Sequence, residues 1–153
     1  MDGLKEVRFG FSKIVTDEFA VMEESFEPGS ETNMSLTLTF GHNPPEQLVA
    51  MKVKCTFYQR DKPVLLIAVS CLFKIVSEDW VRIYDEKSNI LTLPHLLAMH
   101  FASLTVSTAR GVLHGKTENF PVNALIIPPI NLNEFIKGDL VMNPAQQLQP
   151  QHG

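Results

Sequence analysis

The side chains able to do chemistry are few and scattered. Five histidines occur, His42, His95, His100, His114 and His152. None has the i, i+4 partner and glutamate of a helical zinc site, and His95 and His100 are five positions apart. The pairs Asp17-Glu18, Glu23-Glu24 and Glu78-Asp79 carry the groups that hold a cation or serve as acid and base. They lie on separate segments, where solvated strand ends and loops are the simpler expectation. Cys55 and Cys71 sit inside apolar runs, away from any CxxC or ligand cluster, as buried reduced thiols do. Arg110-Gly111 near a helix end offers an anion site, although an arginine turned onto the last carbonyls of its own helix explains it as well. Glycine-rich phosphate loops and nucleophile elbows are missing from the sequence. No catalytic residue, metal or cofactor is expected, and the information lies in the apolar residues.

The elements that must position those residues are bounded by size and charge. At 153 residues, 44% hydrophobic and 20% charged, the chain suits one folded domain, expected over 1–143, with a disordered Gln/Pro-rich tail over 144–153. A net charge of −4 supplies no basic field for nucleic acid. Met1-Asp2-Gly3-Leu4-Lys5-Glu6 lacks the basic and apolar regions of a secretory signal, so a cytoplasmic chain is expected.

Period-two alternation predicts four strands. The first carries Val7, Phe9 and Phe11, slips near Lys13-Ile14-Val15, and is expected to bulge around Thr16-Asp17-Glu18. The second sets Met34, Leu36, Leu38 and Phe40 on one face. The third does so with Val49, Met51, Val53, Cys55 and Phe57, and the fourth with Leu65, Ile67, Val69, Cys71, Phe73 and Ile75. Leu66, Ala68 and Leu72 put apolar groups on the other face of the fourth strand, which predicts a cover from a neighbour or a ligand.

From Ile90 to Ala109 there is no Asp, Glu, Lys or Arg, and a long helix is expected over 94–114 with Gly115 as its stop. Its threonines, serines and histidines argue against a membrane span. Leu97, Phe101, Leu104 and Gly111 form one stripe, and Leu96, Met99, Ser103, Val106 and Arg110 run beside it. No face is built for water, so the helix is expected to be covered twice, by its own sheet and by another subunit. Asn119 to Asn133 is also uncharged, but Pro121, Pro128 and Pro129 forbid a regular helix there. Its Val122, Leu125, Ile126, Ile127, Ile130 and Leu132 must plug a core or wall an apolar groove. Asn131 is placed to cap a short last helix through Phe135 and Ile136.

An antiparallel four-stranded sheet, then a long helix and a short C-terminal helix, is an α+β order that resembles the SecB family of export chaperones. The resemblance is carried by Ile14-Val15-Thr16-Asp17-Glu18, by Arg110-Gly111 closing the helix, by Phe120-Pro121, and by Pro129-Ile130-Asn131-Leu132-Asn133-Glu134-Phe135, which is similar to the family's Pro-Val-Asn-Phe-Asp-Ala-Leu. It implies a homotetramer, a dimer of dimers, with the long helices between dimers. It also implies grooves that hold non-native polypeptides without ATP or metal. Mapped onto this chain, the groove falls on Phe40, Phe57, Phe73, Phe120, Ile126, Ile127 and Ile130, and the oligomer interface on Leu96, Leu97, Met99, His100, Phe101, Leu104 and Val106. The family docks the motor SecA through acidic residues, of which Glu18 and Glu23 match two, whereas Ala68, Val69 and Ser70 stand where a later acidic position falls. A SecB-like chaperone dedicated to one partner, such as an antitoxin, is a second possibility. A purely structural oligomerisation module and a hotdog-like enzyme are the readings from other classes. In the hotdog case the central helix precedes the later strands, and here every expected strand precedes it.

Overall fold

A computed structural model of the chain describes residues 6–143 and 149–152. The four expected strands are β1 (Phe9–Val21), β2 (Asn33–Asn43), β3 (Leu48–Gln59) and β4 (Lys62–Ile75). All neighbours are antiparallel, in the order β1-β4-β3-β2. β2, β3 and β4 follow one another, and β1 lies beside β4, a Greek-key order. β3 and β4 meet in a two-residue loop in which Arg60 and Asp61 both have positive φ, 53° and 64°, the hand that matches strand twist. β1 carries two register shifts, at Phe11/Lys13 and Thr16/Glu18; the second is the expected bulge.

Of the outer apolar positions of β4, Ala68 is covered from within, while Leu66 and Leu72 are half-buried. Glu18 and Lys54 both pair with Ala68, from opposite sides. Lys54 Nζ reaches Glu18 at 3.4 Å across it, and Ala68 is fully buried. The cover over Ala68 is thus an ion pair of the flanking strands.

After β4 the chain forms elements that alternation had not marked: α1 (Ser77–Ile83), β5 (Tyr84–Asp85) and β6 (Ile90–Leu93). α1 buries Trp80 and Asp79. The Asp79 carboxylate accepts from the backbone N–H of Arg8 at 2.9 Å, from Arg8 Nε at 2.8 Å and from Arg82 at 3.0 Å. This knot fastens the start of β1 to α1.

The long helix α2 runs His95–Lys116. Gly115 does not stop it; the helix ends at Thr117, whose N–H and Oγ1 both donate to the Leu113 carbonyl, at 3.1 and 2.8 Å. Its start is capped from far along the chain, where Asp139 Oδ1 accepts the His95 N–H at 2.8 Å. Ala98, Phe101, Ala102, Thr105, Val106, Ala109 and Leu113 form a buried stripe on the sheet. Phe101 stacks on Phe73 of β4 with centroids 4.1 Å apart, and Phe9 of β1 meets both rings edge-on. Buried Thr105 satisfies its hydroxyl on the Phe101 carbonyl of its own helix, at 2.8 Å. By length and composition α2 is apolar enough to cross a bilayer, but this stripe makes it the helix of the sheet's core.

Beyond α2, a 3-10 turn (Pro121–Ala124) leads into the proline-rich loop. The expected short helix is a single 3-10 turn, Leu132–Glu134, and Asn131 caps it by accepting the Asn133 N–H at 3.2 Å. β7 (Leu140–Met142) then pairs with β6 and closes a three-stranded sheet with β5. Residues 144–148 and 153 of the expected tail lie outside the described residues. Gln149–His152 forms β8 along the outer edge of β2.

Candidate functional site

A cleft of about 600 Å³ lies between β2 and the proline-rich loop. One wall is Met34 to Thr37, with Met34 and Leu36 as its apolar groups; Pro129, Ile130 and Phe135 supply the other. The β2 wall follows from strand alternation, which repeats an apolar side chain every second residue. The loop wall needs an anchor, because a proline-rich segment has few backbone hydrogen bonds of its own. Arg110 provides it. Its Nε donates to the Ile127 carbonyl at 2.6 Å and its terminal nitrogen to the Pro128 carbonyl at 2.9 Å. The guanidinium therefore serves the loop, and the expectation that it satisfies its own helix end is corrected. Asn123 holds the loop's start, donating to the His114 carbonyl at 3.2 Å and to Thr117 Oγ1 at 3.0 Å. Ile127 and Ile136 are buried on either side of the exposed stretch and pin it to the core.

The cleft contains, among the described residues, no paired acid and base, and Glu134 is its one carboxylate, to which Asn131 Nδ2 donates at 3.4 Å. Among the described residues no group of three or more His, Cys, Asp or Glu is placed to hold a metal. Burial pushes the Cys55 thiol up to about 12, so it is protonated and unreactive near neutrality. The chemistry open to this surface is burial of apolar side chains beside backbone polar groups.

No family model matches the chain, and no curated protein does. Among solved structures, the fold is similar to that of the Mycobacterium tuberculosis SecB-like chaperone Rv1957, in complex with a ChAD peptide from the Rv1956 HigA1 antitoxin. The TM-score is 0.50 and the identity 12%, over 80% of this chain and 91% of that one. The chain has a SecB-like fold.

Within this SecB-like frame the predicted site residues fall into two groups. Phe40, Phe57, Phe73 and Ile127 are core residues, at most 4% exposed. They are removed from the groove because α2 and the loop lie on the same sheet face that alternation assigned to them. Ile130 does line the cleft, half-buried, while Phe120 and Ile126 are exposed on the loop. Met34, Leu36 and Phe135 were missed as wall residues. The signal for the first two was present in the strand pattern, but which end of the strand stays uncovered is decided by where the loop lands.

The interface residues divide similarly. Phe101 and Val106 are buried on the subunit's own sheet, so they are corrected to core. Leu96 is 80% exposed and His100 is exposed; Leu97, Met99 and Leu104 are half-buried at the margins of the stripe. Leu96, Leu97 and His100 also edge a second cavity of about 550 Å³, with Phe9, at the start of α2. Glu18 is engaged by Lys54, and Glu23 stands exposed in the 3-10 turn Glu23–Ser25.

Proposed function

We propose that this protein is a chaperone that captures extended apolar stretches of non-native polypeptide, without ATP or metal, in the cleft between β2 and the proline-rich loop. The observation that carries this reading is a SecB-like fold joined to an apolar cleft whose far wall is held by Arg110. Each client side chain buried there contributes about 1.5–3 kcal/mol before ordering costs are subtracted. Several such contacts with little hydrogen-bond selection suit a loose sequence preference. Residues 1–143 act as one domain, in the cytoplasm, within a homotetramer whose α2 helices meet through the uncharged flank of Leu96, His100, Ser103 and Ser107. Docking of SecA through Glu18 and Glu23 finds less support, because Glu18 is engaged by Lys54. A chaperone dedicated to one partner is the second reading; a SecB-like neighbour solved with an antitoxin peptide favours it.

The test is dilution of a chemically denatured protein into buffer with stoichiometric amounts of this chain, followed by light scattering. Suppressed scattering is expected, and its loss on combining Ile130→Ser with Phe135→Ser, at unchanged circular dichroism, places capture in the cleft. Scattering that the unaltered chain leaves unchanged overturns the reading.

A further inference from the structure

We propose that the outer edge of β2 is a strand-accepting surface for an extended polypeptide, and that the chain's own β8 occupies it until a competing segment displaces it. The proposal rests on the polypeptide-binding reading above and adds where the client backbone goes and what must leave first.

β2 ends the four-stranded sheet, so one row of its N–H and C=O groups faces away from β3. A long edge backed by Leu36, Leu38 and Phe40, all buried, is a template for pairing with any extended chain, and proteins cover such edges. β8 is the cover. It runs antiparallel, with Gln149 opposite Phe40, Pro150 opposite Thr39, Gln151 opposite Leu38 and His152 opposite Thr37. The cover is weak by construction. It spans four residues, one of them a proline with no N–H to donate. Its sequence, Gln-Pro-Gln-His, contains no Leu, Ile or Val.

The remaining length of the same edge leads to the cleft. A longer strand laid in the direction of β8 passes Thr37 and reaches Leu36 and Met34, where Ile130 and Phe135 stand opposite. An apolar segment there keeps the backbone pairs of β8 and adds alternate side chains in the cleft, the arrangement by which peptides extend sheets elsewhere. The tethered β8 competes at high effective concentration, and the apparent affinity for a client falls by the fraction of time the edge is closed.

Two variants of the full chain set the edge open or shut. Gln149→Pro with Gln151→Pro removes two of the three N–H groups that β8 has left, sparing only that of His152. Thr39→Cys with Pro150→Cys places cysteines at directly opposed positions, and oxidation locks β8 down. The probe is fluorescein-labelled, reduced and carboxymethylated lactalbumin, read by anisotropy. The open variant is expected to bind about tenfold tighter than the unaltered chain, and the oxidised lock at least about tenfold weaker until reductant restores it. Amide exchange at Thr37–Phe40 is expected to show protection of the groups facing away from β3, lost in the open variant and regained with the probe. Equal affinity for all three proteins overturns the edge proposal and leaves the chaperone reading standing. Equal exchange in the open and unaltered chains likewise overturns it. No binding by any of the three, the open variant included, overturns both.

Discussion

Asp79 and Arg110 each hold together segments far apart in sequence, and each has a measurable signature. Hydrogen bonds from Arg8 and Arg82 hold the Asp79 carboxyl well below the usual carboxylate range. A depressed folded value means that the stabilisation is complete above the unfolded value, near about pH 4, and is lost as pH falls below it toward the folded value. Melting temperature followed from neutral to acid pH is therefore expected to drop more steeply below about pH 4 in the unaltered chain than in Asp79→Asn, which starts lower and lacks this component. Arg110→Met removes two charge-assisted bonds to the loop carbonyls. A loss of about 1–3 kcal/mol in urea denaturation is expected, with faster proteolysis within 121–131 and weaker client capture. Neither role was legible beforehand. The sequence displays Asp79 as half of an acidic pair and Arg110 as a helix-end arginine, and their partners lie 71 and 17 residues away.

At the scale of elements, the β3–β4 hairpin and α2 show how local pattern and packing divide the work. The hairpin needs positive φ at two residues that have side chains, Arg60 and Asp61. Asp61→Gly is expected to stabilise the protein by about 0.5–1 kcal/mol, seen as a higher urea midpoint at unchanged m-value. For α2, the absence of charge predicted two covered faces. One is found on the sheet, through the stripe from Ala98 to Leu113. The opposite flank carries exposed Leu96, His100, Ser103, Ser107 and Gly111. If it is the meeting surface of the proposed tetramer, Ser103→Glu with Ser107→Glu desolvates carboxylates against a second helix. Solution mass by light scattering is expected to fall from near four times 17.2 kDa to a smaller species, with helix content retained. An unaltered chain that runs as a monomer contradicts the tetramer.

For the whole molecule, the sequence by itself determined the four strands, the long helix and their order. Alternation and charge depletion are properties of neighbouring residues, and the backbone's two periods convert them directly into elements. Even the bulge near Thr16-Asp17-Glu18 and the Asn131 cap were legible, because both are local. The small sheet of β5, β6 and β7 was not, since strands of two to four residues carry no period and exist only because Leu91 and Leu93 meet Met142 and Leu140 from about fifty residues further along. The site divides on the same line. The proline-rich loop was marked as apolar by its composition, yet whether an apolar residue becomes core or cleft wall depends on what settles over it. Phe40 and Leu36 occupy the same face of one strand, and the landing point of the loop, set by Arg110, Ile127 and Ile136, decides that the cleft opens beside Leu36 and that Phe40 is closed in. Burial is a relation between distant segments, so only the tertiary structure could assign it.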